Sequence, residues 1–427
     1  MEPTATSTSH APTEIWRLIF RFATDSDTSD HVDYHPFQPS HELHETAHDT
    51  ERLGTCLALV RVSHHFRAVA AEFLYEDVRI YDADGLASLV AGLVRSAKDG
   101  NNFGSYVRRL ELPSRGDTYP AQSRSLPFPI HPIRCPLESI SLSDILRLCP
   151  RLEVLVRPCM RLDAQCIAFW ASLVQTPIER YATRLLRLEW YEGDLDARFY
   201  GTHHSSRLRE LVAHSPNLRY LFLSSDRPNP LADLSLPLSL HTLRLSRSCF
   251  HVQNARRLMP RLSLKSDVQN VPNFRNLVLH TTLPPPLLDF LATSGRSLRV
   301  LELAFAPQMS LSSAQMQRLL SRCPQLAELA YYVGAPEISP LAAAQCPSLT
   351  RIRLKVAPSE WSPSRPVLRG QAEVLDGPAF PALREVVLHD AARWLVRREA
   401  GRDLVRRMLR RGCAVRYEDG EAVMLPT

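Results

Sequence analysis

Lysine is nearly missing from this chain of 427 residues. Only Lys98, Lys265 and Lys355 occur, and arginine carries the positive charge. No uninterrupted apolar run reaches the length of a membrane span. Residues Met1 to Pro12 are polar, with neither a basic start nor an apolar stretch behind it, so neither a leader nor a membrane helix is expected. The expectation is a soluble intracellular protein, cytoplasmic or nuclear. A glycine-rich phosphate loop, a GxSxG elbow and a paired-carboxylate motif are also missing, so no catalysis and no cofactor are expected. The nine cysteines are scattered. Cys159 and Cys166 are too far apart for a CxxC pair, and Cys149, Cys323 and Cys346 sit just before prolines, where they read as small buried hydrophobes.

What the chain does have is repetition. Ser215-Pro216-Asn217-Leu218-Arg219-Tyr220-Leu221-Phe222-Leu223 sets a pattern of proline, leucine, two spacers, leucine, spacer, leucine. It returns at Cys323-Pro324-Gln325-Leu326, Cys346-Pro347-Ser348-Leu349 and Phe380-Pro381-Ala382-Leu383. Looser copies start at Leu185, Leu240, Phe274 and Leu298, and weaker ones at Val107 and Leu152, the last ending on Arg157 where leucine is expected. Several intervals between these leading residues match leucine-rich-repeat periods of about 20 to 29 residues, and the longer ones leave room for loops. Each unit should place two alternating apolar residues of a short strand and one leading residue in a shared core, and stacking is needed because one unit cannot bury that face alone.

Ahead of the repeats, Pro12 to Ala23 has Ile15, Leu18, Ile19 and Phe22 at helical spacing and a second apolar row of Trp16, Phe20 and Ala23. It is apolar over more of its circumference than one core requires, which points to a second buried face against another protein. Residues 24–50 carry seven acids, no lysine or arginine, and five histidines, with no periodic apolar face, and read as a flexible insertion. Helical spacing resumes at Glu51 with Leu53, Cys56, Leu57 and Val60, and Ser63 is placed to cap a third helix with Phe66, Val69, Ala70 and Phe73 on one face. A short strand is expected after Leu74-Tyr75, ending near Ile80.

Pro12-Thr13-Glu14-Ile15 with Ile19-Phe20, then Leu57 to Ser63 and Phe66 to Ala70, closing on Leu74-Tyr75, resemble an F-box across about residues 11 to 80. With the repeats that follow, the chain is similar to the F-box leucine-rich-repeat family. The expected fold is α/β: a three-helix F-box, then a curved leucine-rich-repeat solenoid over 81–390 with parallel strands on the concave face, and a capping segment over 391–427. In that last segment Leu395, Val396, Val405, Met408 and Leu409 mark a closing helix and Ala414 to Tyr417 a final strand. As for function, the resemblance implies docking on the Skp adaptor of a cullin-RING ubiquitin ligase, with the repeat domain holding a protein substrate. Carried over by position, Pro12, Ile15, Ile19, Phe20, Leu59, Val60, Val62 and Phe66 would form the adaptor face. In that setting the scarcity of lysine would limit self-ubiquitination.

If the strands line the concave side, the residues that alternate with the core leucines point away from the core. Tyr191, Phe222, Arg244, Tyr332 and Arg353 are the candidate anchors for a partner, because aromatic and arginine side chains dominate interface energetics. Glu189, His280, Glu302 and His389 share that alternation.

Two further patterns compete with this reading. His44-Glu45-Thr46-Ala47-His48 spells HExxH, the zinc-peptidase pattern. Its flanks are polar and Glu51 stands where the extended motif requires glycine, so no metal is assigned, and zinc binding through His44 and His48 stays a remote alternative. Residues 391–412 hold eight arginines against Glu399 and Asp403, which gives 8 minus 2, or +6. The apolar residues spaced among them favour the solvated face of a cap over a nucleic-acid surface. A leucine-rich-repeat scaffold without ligase association is the second reading.

Overall fold

The computed structural model describes residues 11–24, 32–37, 47–80, 83–112, 141–158, 181–192, 203–225, 234–246, 271–280, 285–303, 313–333, 345–356, 365–389 and 396–425. The chain divides into two compact units, Met1–Asp33 with Pro39–Arg187, and Tyr34–Gln38 with Leu188–Thr427.

The first unit opens with α1 (Thr13–Thr24), α2 (Ala47–Val62) and α3 (His64–Glu76). The carbonyl of Pro12 accepts from the amides of Ile15 and Trp16, which starts α1 where a proline is tolerated. Ser63 caps α3 as expected, its hydroxyl accepting from the Phe66 amide at 3.1 Å. The helices close on a core of Phe20, Cys56, Val69, Ala70 and Phe73, with Trp16, Leu59, Val60, Phe66 and Leu74 packed against it. Then come β1 (Asp77–Arg79), α3's successor α4 (Ala83–Lys98), β2 (Arg109–Glu111), α5 (Leu142–Leu148) and β3 (Val154–Arg157).

β4 (Arg187–Glu192) spans the division. The second unit continues with α6 (His203–Ala213), β5 (Tyr220–Ser225), β6 (Thr242–Ser246), β7 (Asn276–His280), α7 (Pro285–Ser294) and β8 (Val300–Leu303). α8 (Ser313–Ser321), β9 (Glu328–Val333), β10 (Arg351–Val356), α9 (Arg365–Asp376), β11 (Glu385–His389), α10 (Glu399–Arg410) and β12 (Ala414–Tyr417) complete it. Within each unit the strands neighbour one another in chain order, β1 to β3 in the first and β5 to β12 in the second, and every pair whose register is described is parallel. The fold is α/β and leucine-rich-repeat-like.

Repetition in the sequence becomes repetition in hydrogen bonding. Each leading residue, from Val107 through Leu152, Leu218 and Leu326 to Leu383, is buried and starts its strand two residues later. Its amide turns back to the carbonyl three residues earlier, as in Leu218 to Ser215 and Leu326 to Cys323. The next two amides then share one carbonyl of the preceding repeat: Ala327 and Glu328 both donate to Arg299, and Thr350 and Arg351 both donate to Ala327. The proline of the repeat sits inside that turn, where no amide is needed. Two apolar ladders follow, one through Leu221, Leu243, Leu277, Leu301, Leu329, Ile352 and Val386, the other through Leu223, Leu245, Leu279 and Leu303. The helices of the same unit bury Leu287, Leu291, Met316, Leu319, Leu368 and Met408.

Several expectations need correction. α7 begins at Pro285, within the run Pro284-Pro285-Pro286, with prolines in its first turn, where a missing amide is tolerated. α2 starts at Ala47, four residues ahead of Glu51, and the closing helix starts at Glu399, well inside the 391–412 segment. Part of the 24–50 insertion is packed: Phe37 is 3% exposed within the second unit. Arg157, at the place of an expected leucine, is fully buried at the end of β3. Residues 115–136, Cys159, Cys166 and His44 lie outside the described residues. Among the described residues no group of histidine, cysteine, aspartate or glutamate could hold a metal ion, and no helix is long and apolar enough to cross a membrane.

Candidate protein-interaction sites

In the first unit the two apolar rows of α1 part company. Trp16 and Phe20 turn inward, where Phe66 lies 4.6 Å from the Trp16 ring and 5.1 Å from the Phe20 ring, and Phe73 lies 6.3 Å from Phe20. The other row stays in water: Ile15 is 45%, Leu18 54%, Ile19 46% and Phe22 86% exposed. Of the residues carried over from the resemblance, Pro12, Ile15, Ile19 and Val62 are exposed, while Leu59, Val60 and Phe66 are partly buried against the core. Phe20 corrects the expectation. It is 1% exposed and is a core residue, because its ring fills the space between α2 and α3. Leu18 and Phe22 take its place on the exposed row.

Beneath the three helices, Asp77 of β1 gathers three arginines. Arg109 Nη1 lies at 2.7 Å, Arg79 Nη2 at 3.4 Å and Arg52 Nη2 at 3.5 Å, and Arg109 also reaches Glu111 at 2.9 Å. Burial alone would raise the carboxyl's pKa, but the three guanidinium groups hold it well below the usual range.

In the second unit the strand face that alternates with the leucine ladders carries three rows. The middle row runs Phe222, Arg244, Val278, Glu302, Ala330, Arg353 and Val387 in register. Beside it, Tyr332, Lys355 and His389 are register neighbours on β9, β10 and β11, and on the other side Glu328, Arg351 and Glu385 form an ion ladder with contacts of 3.2 and 2.6 Å. Arg353 donates to Glu328 at 2.5 Å and lies 3.3 Å from the His389 ring, whose Nδ1 is 3.0 Å from Glu418.

The five candidate anchors divide between two environments. Tyr191, Phe222 and Arg244 are buried, not open to a partner: the rings of Tyr191 and Phe222 meet edge to face at 4.8 Å, and Arg244 stacks 5.3 Å from Phe222 and donates to His280 at 2.9 Å. Arg244 and burial together hold His280 well below its ordinary pKa, burial being the larger cause. Tyr332 and Arg353 are half-buried, and on Tyr332 lies a segment from far away in sequence. The Tyr34 hydroxyl donates to Glu302 Oε2 at 2.7 Å, and the Phe37 amide donates to the same oxygen at 2.9 Å. The Phe37 ring meets Tyr332 at 5.2 Å and His389 at 5.0 Å, both edge to face, and the Lys355 ammonium lies 5.7 Å from its centroid. The clue in the sequence is composition: Tyr34 and Phe37 are the only aromatic residues between 24 and 50.

No protein-family model matches the chain, and no curated protein matches it. Among solved structures, the leucine-rich-repeat-containing protein LegL7 from Legionella pneumophila is similar at 14% identity, over 74% of this chain and 86% of that one, with a TM-score of 0.39. The repeat architecture here is established by the chain's own ladder of strands.

Proposed function

We propose that the chain is a non-catalytic adaptor in which the helices of the first unit dock on a Skp adaptor of a cullin-RING ubiquitin ligase and the strand face of the second unit holds a protein substrate. The observation that carries the docking half is the division of labour on α1. The Trp16 and Phe20 row already supplies the helix's share of the core, so Ile15, Leu18, Ile19 and Phe22 are left exposed without any need from the fold. Four large apolar side chains on successive turns suit a partner that removes them from water. The resemblance of this segment to an F-box names the partner.

The test is co-expression with the Skp adaptor and size-exclusion chromatography, comparing the native chain with Ile19→Asp. Co-elution of the native chain, lost in a folded variant, is the expected result. A native chain that does not co-elute leaves the second reading, a leucine-rich-repeat interaction scaffold without ligase association. That reading is favoured by the strand face, which engages a segment of chain without help from the helices.

A further inference from the structure

We propose that the outward face of β8 to β11 is a recognition site for a short peptide carrying an unphosphorylated tyrosine and, three residues later, a phenylalanine, and that Tyr34 to Phe37 is an internal copy of that ligand. The inference rests on the adaptor reading in one respect, that the strand face is where a partner protein binds.

Two subsites are built on neighbouring rows. Glu302 is 1% exposed, and one of its oxygens accepts both a side-chain hydroxyl and a main-chain amide from the same segment. A buried carboxylate needs such donors, and a phenol and a peptide N–H spaced three residues apart supply both. Next to Glu302 in register stands Ala330, a small residue whose methyl leaves room on the middle row. Tyr332, Lys355 and His389 then form the walls around the phenylalanine ring, two meeting it by ring edges and the third by its ammonium.

This arrangement reads chemistry, not only shape. The hydroxyl separates tyrosine from phenylalanine at the first position, because Glu302 loses a donor if the hydroxyl is missing. A phosphate on that hydroxyl would bring its negative charge against the Glu302 carboxylate, so the site rejects phosphotyrosine. The second position rejects residues without a ring.

The internal copy is held under strain. Phe37 has φ of 57°, a left-handed conformation that a bulky side chain rarely adopts. A peptide arriving from another protein with relaxed backbone escapes that penalty, while the tethered copy has the advantage of high local concentration. The two therefore compete for the same subsites, and the insertion acts as an occupant that a partner must displace.

The experiment measures fluorescence anisotropy of a labelled peptide spanning residues 31–40 against three full-length proteins: the native chain, Tyr34→Ala/Phe37→Ala, and Tyr34→Phe. The vacated double variant should bind at least about tenfold tighter than the native chain, since the tethered competitor is gone. Tyr34→Phe, which keeps every ring and removes one hydrogen bond, should give a smaller gain of the same sign and covers the case in which the double variant does not fold. Peptides with phosphorylated tyrosine, or with alanine at the phenylalanine position, should bind the same proteins at least about tenfold more weakly. Equal binding by native and vacated chains, or equal binding of all three peptides, would overturn the proposal and make the segment a structural staple. No ligase adaptor is present in this measurement. Peptide binding without adaptor co-elution keeps this inference and removes the ligase reading, and the reverse pattern removes only this inference.

Discussion

Arg109 Nη1 donates to Asp77 Oδ1 at 2.7 Å, between register partners on β1 and β2 whose side chains are both almost fully enclosed. Asp77→Asn takes away the carboxylate that three guanidinium groups share and leaves the enclosed Arg109 with Glu111 as its remaining ion-pair partner, so it should cost about 3 kcal/mol of stability at neutral pH. The pH dependence has a definite sign. Because the folded carboxyl is held below its ordinary value of 3.8, the contribution is present above about pH 4 and is lost as the pH falls through the folded value. The difference in thermal midpoint between the native chain and Asp77→Asn should therefore shrink between about pH 4 and pH 2. A difference that stays constant over that range would show that Asp77 is not held low.

Neighbouring positions on α1 should behave oppositely. Phe20→Ala removes a ring that touches Trp16, Phe66 and Phe73 and should cost about 3–5 kcal/mol in chemical denaturation. Ile19→Asp, on the exposed row, should stay within about 0.5 kcal/mol of the native chain. Equal losses would mean that both rows are buried in the isolated protein.

Two glycines mark close approaches between repeats. A Cβ on Gly295 would come 2.5 Å from the Arg322 carbonyl oxygen, and one on Gly104 would overlap the Leu148 carbonyl oxygen. Both sit three residues ahead of a leading residue, Leu298 and Val107, where the next repeat's backbone passes. Gly295→Ala should destabilise by about 1–3 kcal/mol, since backbone cannot swing aside. Gly92→Ala, in α4 with nothing within 4 Å, should instead stabilise by up to about 1 kcal/mol. Thermal melts of the two variants, moving in opposite directions, check the pair.

At the C-terminal end Arg411 ties α10 to the preceding repeat, donating to the carbonyls of Leu375, Gly377 and Phe380. Arg411→Lys retains charge but carries its donors on one nitrogen, so it cannot reproduce a fork in which Nη1 serves Leu375 and Gly377 while Nη2 serves Phe380. Amide exchange in β12 should accelerate in this variant while exchange in β5 and β6 stays as in the native chain. Unchanged exchange in β12 would show that α10 holds without the fork.

Burial pushes the Cys149 and Cys323 thiols up to about 12, and in Cys323 the neighbouring Cys346 adds to it. Neither should react with a disulfide reagent in the folded chain at pH 8, and both should react on unfolding. Fast labelling of either in native protein would place it outside the core.

The repeat ladder was legible because its cause is local. A leading apolar residue, a turn and two alternating apolar residues define each strand, so positions such as Leu240, Phe274 and Leu349 mark their strands two residues ahead. The capping of α3 by Ser63 and the strand at 414–417 were legible for the same reason, since a cap and a period need only neighbouring residues. α1 was legible as a helix with two apolar rows, but helical spacing cannot say which row meets the core. Only the rings of Phe66 and Phe73, brought in by α3, decide that Phe20 is inside and Ile19 outside.

The candidate anchors show the same limit. Alternation placed Tyr191, Phe222, Arg244, Tyr332 and Arg353 on the outward side of their strands, and the register supports that placement for those paired. Alternation carries no information about what lies over that side, so the burial of Phe222 and Arg244 was not legible. Residues 24–50 lack any period, and their composition alone suggested a free loop. The hydrogen bond from Tyr34 to Glu302 crosses 268 residues, and no local pattern encodes such a meeting. Sequence alone determined what repeats, because periodic burial follows from spacing along the chain. Tertiary structure alone decided which apolar row of α1 stays in water and that Phe37 lies on Tyr332, because those outcomes depend on which surfaces meet across the fold.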